Sequence, residues 1–144
     1  MRAMIGMAVM VCCAVQAAPN EKDAVALAEK GAQFLRAHGR AEMVARINGK
    51  DPEFNQGALY LAMRDMSGIT VAHPTTALIG KNLLDVPDAD GKLFRQEMVA
   101  LARGPGHGWV DYKFRNPETG KVEAKRTYVL RVGDVALEAG IYKH

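Results

Sequence analysis

Apolar positions along residues 20–47 recur at helical spacing. Ala24, Leu27, Ala28, Gly31, Phe34, Leu35 and His38 fall near one face, which predicts a first helix. Asn20, with Asp23 three residues later, has the form of a capping box, and Gly39 is a natural stop. Met43, Val44 and Ile47 extend the pattern into a shorter second helix, about 41–47, that ends at Asn48-Gly49. Asp51-Pro52 opens a loop. From Gly57 the period shifts toward two. Residues 58–63 and 69–72 read as the arms of a hairpin around Asp65-Met66-Ser67-Gly68. Residues 73–90 carry mixed pattern and turn residues, so a loop with a short helical turn is expected. Residues 92–103 return to helical spacing through Leu93, Phe94, Met98 and Leu101, and Gly104-Pro105-Gly106 ends that helix. Three strands follow, at 108–115, 122–132 and 135–142. A turn at residues 116–120 joins the first two. Gly133-Asp134 joins the last two in type II′ geometry, with glycine supplying the positive φ. The layout is α+β: N-terminal helices packed on a five-stranded antiparallel sheet, with one helix inserted between strands 2 and 3.

The two-residue turn fixes a register. Val135, Leu137, Ala139 and Ile141 share a face and lie opposite Val132, Leu130, Tyr128 and Arg126. With a five-residue turn at 116–120, Val110, Tyr112 and Phe114 join that face. Arg126 then points into an apolar surface. Trp109, Asp111, Lys113, Lys125, Thr127 and Val129 take the other face, with Asp111 opposite Lys125 and Lys113 opposite Glu123. Arg64 sits near a strand end, where solvation is expected.

The first residues stand apart from this pattern. Met1-Arg2 gives a positive start, Ala3 to Val15 is apolar and uncharged, and Val15-Gln16-Ala17 carries the small residues of a cleavage site. That is the composition of a secretory signal peptide, residues 1–17, shorter than a membrane span. It implies a periplasmic or secreted domain over residues 18–144. Met10-Val11 before Cys12 does not make a lipobox. Both cysteines, Cys12 and Cys13, leave with the signal, so a disulfide or thiolate site in the mature domain is not expected. The formal charge of the whole chain is +3, and cleavage removes Arg2 from it. That is too little to argue for nucleic acid as a partner.

Several side chains are suited to holding a small ligand. A cation aimed into a half-buried pocket binds a carboxylate, and arginine does so bidentately. The alternation favours Arg126 over its neighbour Lys125, and a surface salt bridge is the competing role for either. Tyr112 and Tyr128 would bring rings and hydroxyls to the apolar face, as ligand contacts or as ordinary core. Trp109 has the same two roles, with packing favoured. His73, held extended by Pro74, closes the end of a strand, where it either meets a ligand or fastens the following loop. Asp88-Ala89-Asp90-Gly91 resembles part of a calcium loop, but no clear helix precedes it, and a turn before a helix explains it better. Gly104 to Gly108 leads into a strand, so it is not a phosphate cradle. The four histidines lack metal-ligand spacing and no nucleophile motif is present. No metal, no cofactor and no catalytic activity are expected.

One set of segments carries a resemblance. In order they are Tyr60-Leu61-Ala62-Met63-Arg64-Asp65-Met66-Ser67-Gly68, Ala72-His73-Pro74, Ile79-Gly80-Lys81-Asn82-Leu83, Asp88-Ala89-Asp90-Gly91-Lys92, Gly108-Trp109-Val110-Asp111-Tyr112-Lys113, Lys125-Arg126-Thr127-Tyr128-Val129 and Gly140-Ile141-Tyr142. Together they resemble the single Cache domain, the PAS-like extracytoplasmic sensor module of bacterial chemoreceptors and sensor kinases. The resemblance implies a PAS-like sheet and ligand sensing, not catalysis. It favours Lys125, three residues before Tyr128, as the ligand-holding cation. Which of Lys125 and Arg126 enters the pocket stays open between the two arguments. The expectation is a stand-alone exported sensor module, monomer or weak dimer. It would bind a small organic acid or similar metabolite and signal through a separate membrane kinase or chemoreceptor. The alternative is a periplasmic interaction protein with a vestigial pocket.

Overall fold

The computed structural model describes residues 6, 8–12 and 17–143. Most of the expected signal segment lies outside the described residues. Helix α1 (Glu21–His38) begins with the anticipated capping box. The Asn20 side chain accepts from the Asp23 N–H, and the Asp23 carboxylate accepts from the Asn20 N–H. Gly39, at φ 88°, separates α1 from α2 (Arg40–Asn48). The strands are β1 (Asn55–Gln56), β2 (Leu59–Asp65), β3 (Thr70–Ala72), β4 (His107–Arg115), β5 (Val122–Val132) and β6 (Val135–Tyr142). A 3-10 turn at Thr76–Leu78 is the short helical turn expected in the loop, and α3 (Phe94–Arg103) is the inserted helix. The sheet runs β1-β2-β6-β5-β4, with β3 also paired to β2. All pairings are antiparallel.

The five strands read from the pattern are present, and the two-residue β1 adds a sixth. Gly133 sits at φ 61° while Asp134 keeps a negative φ, the signature of the II′ turn. The β5–β6 register is the expected one, with Leu130 opposite Leu137 and Tyr128 opposite Ala139.

The β4–β5 register differs from expectation by one residue. Tyr112 pairs with Lys125, Asp111 with Arg126 and Phe114 with Glu123. The expected Asp111–Lys125 and Lys113–Glu123 pairs do not form. The cause is the loop, which has six residues, 116–121. The Asn116 N–H donates to the Lys121 carbonyl, and the Gly120 N–H donates to the Asn116 carbonyl. One added residue reverses every side chain of β4 relative to β5.

The two faces of the sheet therefore build two cores. One face packs Leu59, Leu61, Met63, Leu137 and Ala139 against α1 and α2. It is a close contact, since a Cβ on Gly31 of α1 would stand 2.4 Å from Leu61 Cδ2. The other face carries Val110, Tyr112, Val129 and Ala136 under Phe94, Met98 and Ala102 of α3. The segment leading to α3 is tied to the sheet by one carboxylate. Asp88 accepts from the N–H groups of Asp90, Lys92 and Lys113. These bonds, with nearby Lys92, outweigh partial desolvation and hold its pKa below the usual carboxylate value. The Asp-Gly segment thus works as the turn its sequence suggested.

Candidate functional site

The α3-facing side of the sheet also buries an unusual amount of charge. Arg64, Arg95, Lys125 and Glu138 are each less than a tenth exposed. With His73 and Tyr112 they line a cavity of about 20 Å³ between the sheet and α3. The strands place them by simple alternation. Tyr60, Ala62 and Arg64 come from β2, Glu138 and Gly140 from β6, Lys125 and Thr127 from β5, and Tyr112 and Phe114 from β4.

Arg64 and Glu138 neutralise each other. Arg64 Nε donates to Glu138 Oε2 at 3.0 Å and Nη2 to Oε1 at 2.8 Å, a bidentate pair. Arg64 Nη1 adds bonds to Thr70 Oγ1 and the Gly68 carbonyl. Burial alone would lower the arginine pKa, but Glu138 outweighs it and the net shift is upward. The expectation of a solvated Arg64 is therefore corrected: β2 turns that side chain inward, and a carboxylate is waiting on β6.

Lys125 is different. Its ammonium donates to Tyr60 Oη at 2.9 Å and lies over the Tyr60, Tyr142 and Phe114 rings at 4.2, 4.9 and 5.2 Å from their centres. Among the described residues no carboxylate stands within ion-pair distance of it. Burial drives its pKa down to about 7, with Glu138 only partly opposing. Arg95 likewise has no acidic partner among the described residues. It stacks on Phe94 at 4.3 Å, with one long bond to the Val86 carbonyl, and its pKa is lowered by burial and by Arg64.

His73 completes the wall. Its backbone N–H donates to Asn48 Oδ1, and its Nδ1 accepts from the Thr75 N–H at 2.8 Å. Burial, then Lys125, Arg64 and Arg95, push its pKa down to about 3. The ring is therefore neutral at pH 7, and Nε2 carries the proton. It fastens the following loop and lines the cavity at once. Tyr112 stacks flat on Phe94, with centres 4.1 Å apart, and its hydroxyl meets Thr127 Oγ1 at 2.8 Å.

Gly140 leaves the space that the lysine crosses. A Cβ there would stand 2.2 Å from Thr127 Oγ1 and 2.6 Å from Lys125 Cε.

Of the residues singled out by sequence, the structure brings His73, Tyr112 and Lys125 together. Trp109, Arg126 and Tyr128 lie on the opposite face. Arg126 pairs with Glu21 of α1 at 2.6 Å and stacks on Trp109, which leans on Tyr128 at 5.2 Å. The register shift moves Tyr112 from the face of Arg126 to that of Lys125, while Arg126 keeps the α1 face, so the cation that enters the cavity is Lys125, not Arg126. Sequence reasoning missed Tyr60, Arg64, Arg95, Thr127 and Glu138. The available signal was charge inside apolar strands, as in Leu137-Glu138-Ala139.

The sequence model of the family Single Cache domain 2 matches residues 27–136. The chain belongs to the single Cache family. A curated relative, the sensor histidine kinase MctS of Rhizobium johnstonii, is 33% identical over 72 residues. The match covers 49% of this chain and 15% of the kinase, so the chain spans a small part of that relative. Among solved structures, the periplasmic sensor domain of a chemotaxis protein superposes with a TM-score of 0.67 at 24% identity, over 85% of this chain and 90% of that one. A Cache chemosensory domain, described for carboxylic acid recognition, superposes with a TM-score of 0.65 at 23% identity, over 85% and 88%. These likenesses confirm the α+β, PAS-like fold. The chain is thus a Cache sensor domain that resembles the periplasmic ligand-sensing domains of chemoreceptors and histidine kinases. No helix among the described residues is long and apolar enough to cross a membrane.

Proposed function

We propose that this Cache domain is an extracytoplasmic sensor that binds a small organic acid through its carboxylate. One observation carries the reading. The cavity holds three cationic side chains and one carboxylate, and that carboxylate is consumed by Arg64. Lys125 and Arg95 are left as buried cations with no acidic partner among the described residues. A buried charge is costly unless paired. An anionic ligand would supply the missing partner, and Tyr60, Tyr112, Thr127 and neutral His73 would supply hydrogen bonds around it. The similarity to a Cache domain studied for carboxylic acid recognition points the same way. Nothing in the cavity pairs a nucleophile with a free base, so binding fits better than chemistry.

Binding would be reported to a membrane kinase or chemoreceptor. The resemblance to MctS and to chemotaxis sensor domains supports that class of partner. A thermal-shift screen of the purified chain against carboxylates, amino acids and amines tests the reading. A carboxylate at about a hundred times its Kd adds ~2.7 kcal/mol of stability. That gain should vanish in Lys125→Met. A panel with no response would instead favour an interaction protein with a vestigial pocket.

A further inference from the structure

The central cavity is too small for a metabolite. Its 20 Å³ is room for about one water, since a single water needs roughly 10–15 Å³ on the same measure. It can accept the end of a carboxylate, and the remainder of any ligand must lie elsewhere. Two larger spaces adjoin it. One, of 220 Å³, shares Tyr112 and Lys125 with the cavity, but its rim alternates Asp88, Asp90 and Asp111 with Lys92, Lys113 and Lys143, and beyond Tyr112 and Ala124 it offers no apolar wall to a tail. The other, of 410 Å³, shares Tyr60, Leu78 and Phe114 with the cavity and extends between Pro74 and Pro117.

The second space lies directly behind the unpaired cation. The Lys125 ammonium rests over the Tyr60 and Phe114 rings, which are the partition between cavity and groove. Tyr60 is fixed by its bond to that ammonium. Leu78 closes the partition from the other side, at the end of a single 3-10 turn whose N-cap, Thr75, makes no side-chain cap bond. We infer that the groove between Pro74, Leu78, Phe114 and Pro117 is a tail subsite, so that the ligand is a monocarboxylic acid with an apolar tail, its head at Lys125 and its chain passing Leu78. The inference rests on the reading of the cavity as an anion site. The groove walls offer rings and aliphatic carbons to a tail. Its charged members, Lys50, Arg115 and Glu118, are all exposed. Its volume falls within the ~300–1,000 Å³ of ordinary ligand pockets, which the cavity alone does not reach.

The test is calorimetry with acetate, butyrate and hexanoate on the wild-type chain and on Lys125→Met, Thr75→Trp and Pro117→Trp. Thr75 and Pro117 line only the groove, from opposite sides, and both are exposed. Two variants guard against one failing to fold, and thermal melts check both. Each buried methylene is worth at most about fourfold in Kd. Hexanoate is expected to bind the wild type at least about tenfold tighter than acetate. That advantage should be lost in both tryptophan variants, with acetate affinity unchanged. Equal affinity for the three acids overturns the tail subsite and leaves the sensor reading standing. So does a hexanoate advantage that persists in both tryptophan variants. Binding that survives Lys125→Met unchanged, or no binding of any acid, overturns the anion-site reading and the subsite with it.

Discussion

Lys125 Nζ on β5 reaches over β6 to stand 2.9 Å from Tyr60 Oη on β2, and this bond is the only hydrogen bond the ammonium makes among the described residues. The tyrosine shifts well above its ordinary pKa, chiefly through burial, and remains a neutral partner. A lysine so placed is a poor stabiliser of the empty domain and a strong attractor for an anion.

The stability of the ligand-free domain should therefore rise with pH. Lys125 titrates near 7 when folded and near 10.5 when unfolded. Below pH 7 both states are protonated and the folded state bears the full cost of the buried charge. Between 7 and 10.5 the unfolded chain binds more protons, so stability climbs, by up to ~1.4 kcal/mol per pH unit. Denaturant melts of wild type and Lys125→Met from pH 6 to 10 check this. The gap between them should favour the variant at pH 6 and close as pH rises.

Anion binding should show the opposite slope. A carboxylate needs the ammonium form, and its fraction in the free domain falls about tenfold per unit above pH 7. His73, neutral down to about pH 3, adds nothing between 5 and 8. Titration calorimetry at pH 8 in buffers of different ionisation enthalpy should reveal net proton uptake on binding.

Arg64→Met should destabilise the domain by ~3–5 kcal/mol, because it strands Glu138 in the interior. The double variant Arg64→Met, Glu138→Gln should recover part of the loss. Equilibrium denaturation of the two variants measures it.

Gly140→Ala should abolish ligand binding. The added methyl must displace Thr127 Oγ1 and Lys125 Cε, both inside ordinary contact distance. Overpacking of this kind costs ~1–3 kcal/mol of stability. The melting temperature and the ligand-induced shift, measured together, separate the two effects.

Arg126→Ala should leave binding intact. Its guanidinium pairs with Glu21 on the helix side, and both groups are partly exposed, so the loss is at most ~1 kcal/mol. A calorimetric comparison with Lys125→Met shows which of the two adjacent cations matters.

The elements, the capping box and the β5–β6 register were legible in the sequence because local chemistry fixes each of them. Gly133-Asp134 admits one geometry, so Leu130 had to meet Leu137. The β4–β5 loop carries no such constraint. Whether Lys121 belongs to the loop or to the strand depends on its carbonyl accepting from the Asn116 N–H, which residue types do not reveal. That ambiguity set Tyr112 on the face of Arg126 and Tyr128, where the structure sets it beside Lys125. The family resemblance pointed to Lys125 where alternation pointed to Arg126. Arg64 and Glu138 are 74 residues apart and meet only through the β2–β6 pairing, so their pairing is a tertiary fact. Arg95 carries no mark in the helical pattern of Leu93, Phe94, Met98 and Leu101, and it is buried only because it packs on Phe94 over the sheet.

The six-residue span from Asn116 to Lys121 sets a parity. Lengthening or shortening it by two would preserve which side chains of β4 and β5 face each other across the sheet. Changing it by one would send Tyr112 to the helix side while Lys125 stayed behind, or the reverse. Homologues should therefore tolerate changes of even length at this hairpin and resist odd ones. An insertion far from the cavity, at the tip of a solvent-exposed hairpin, would rewrite the interior of the domain.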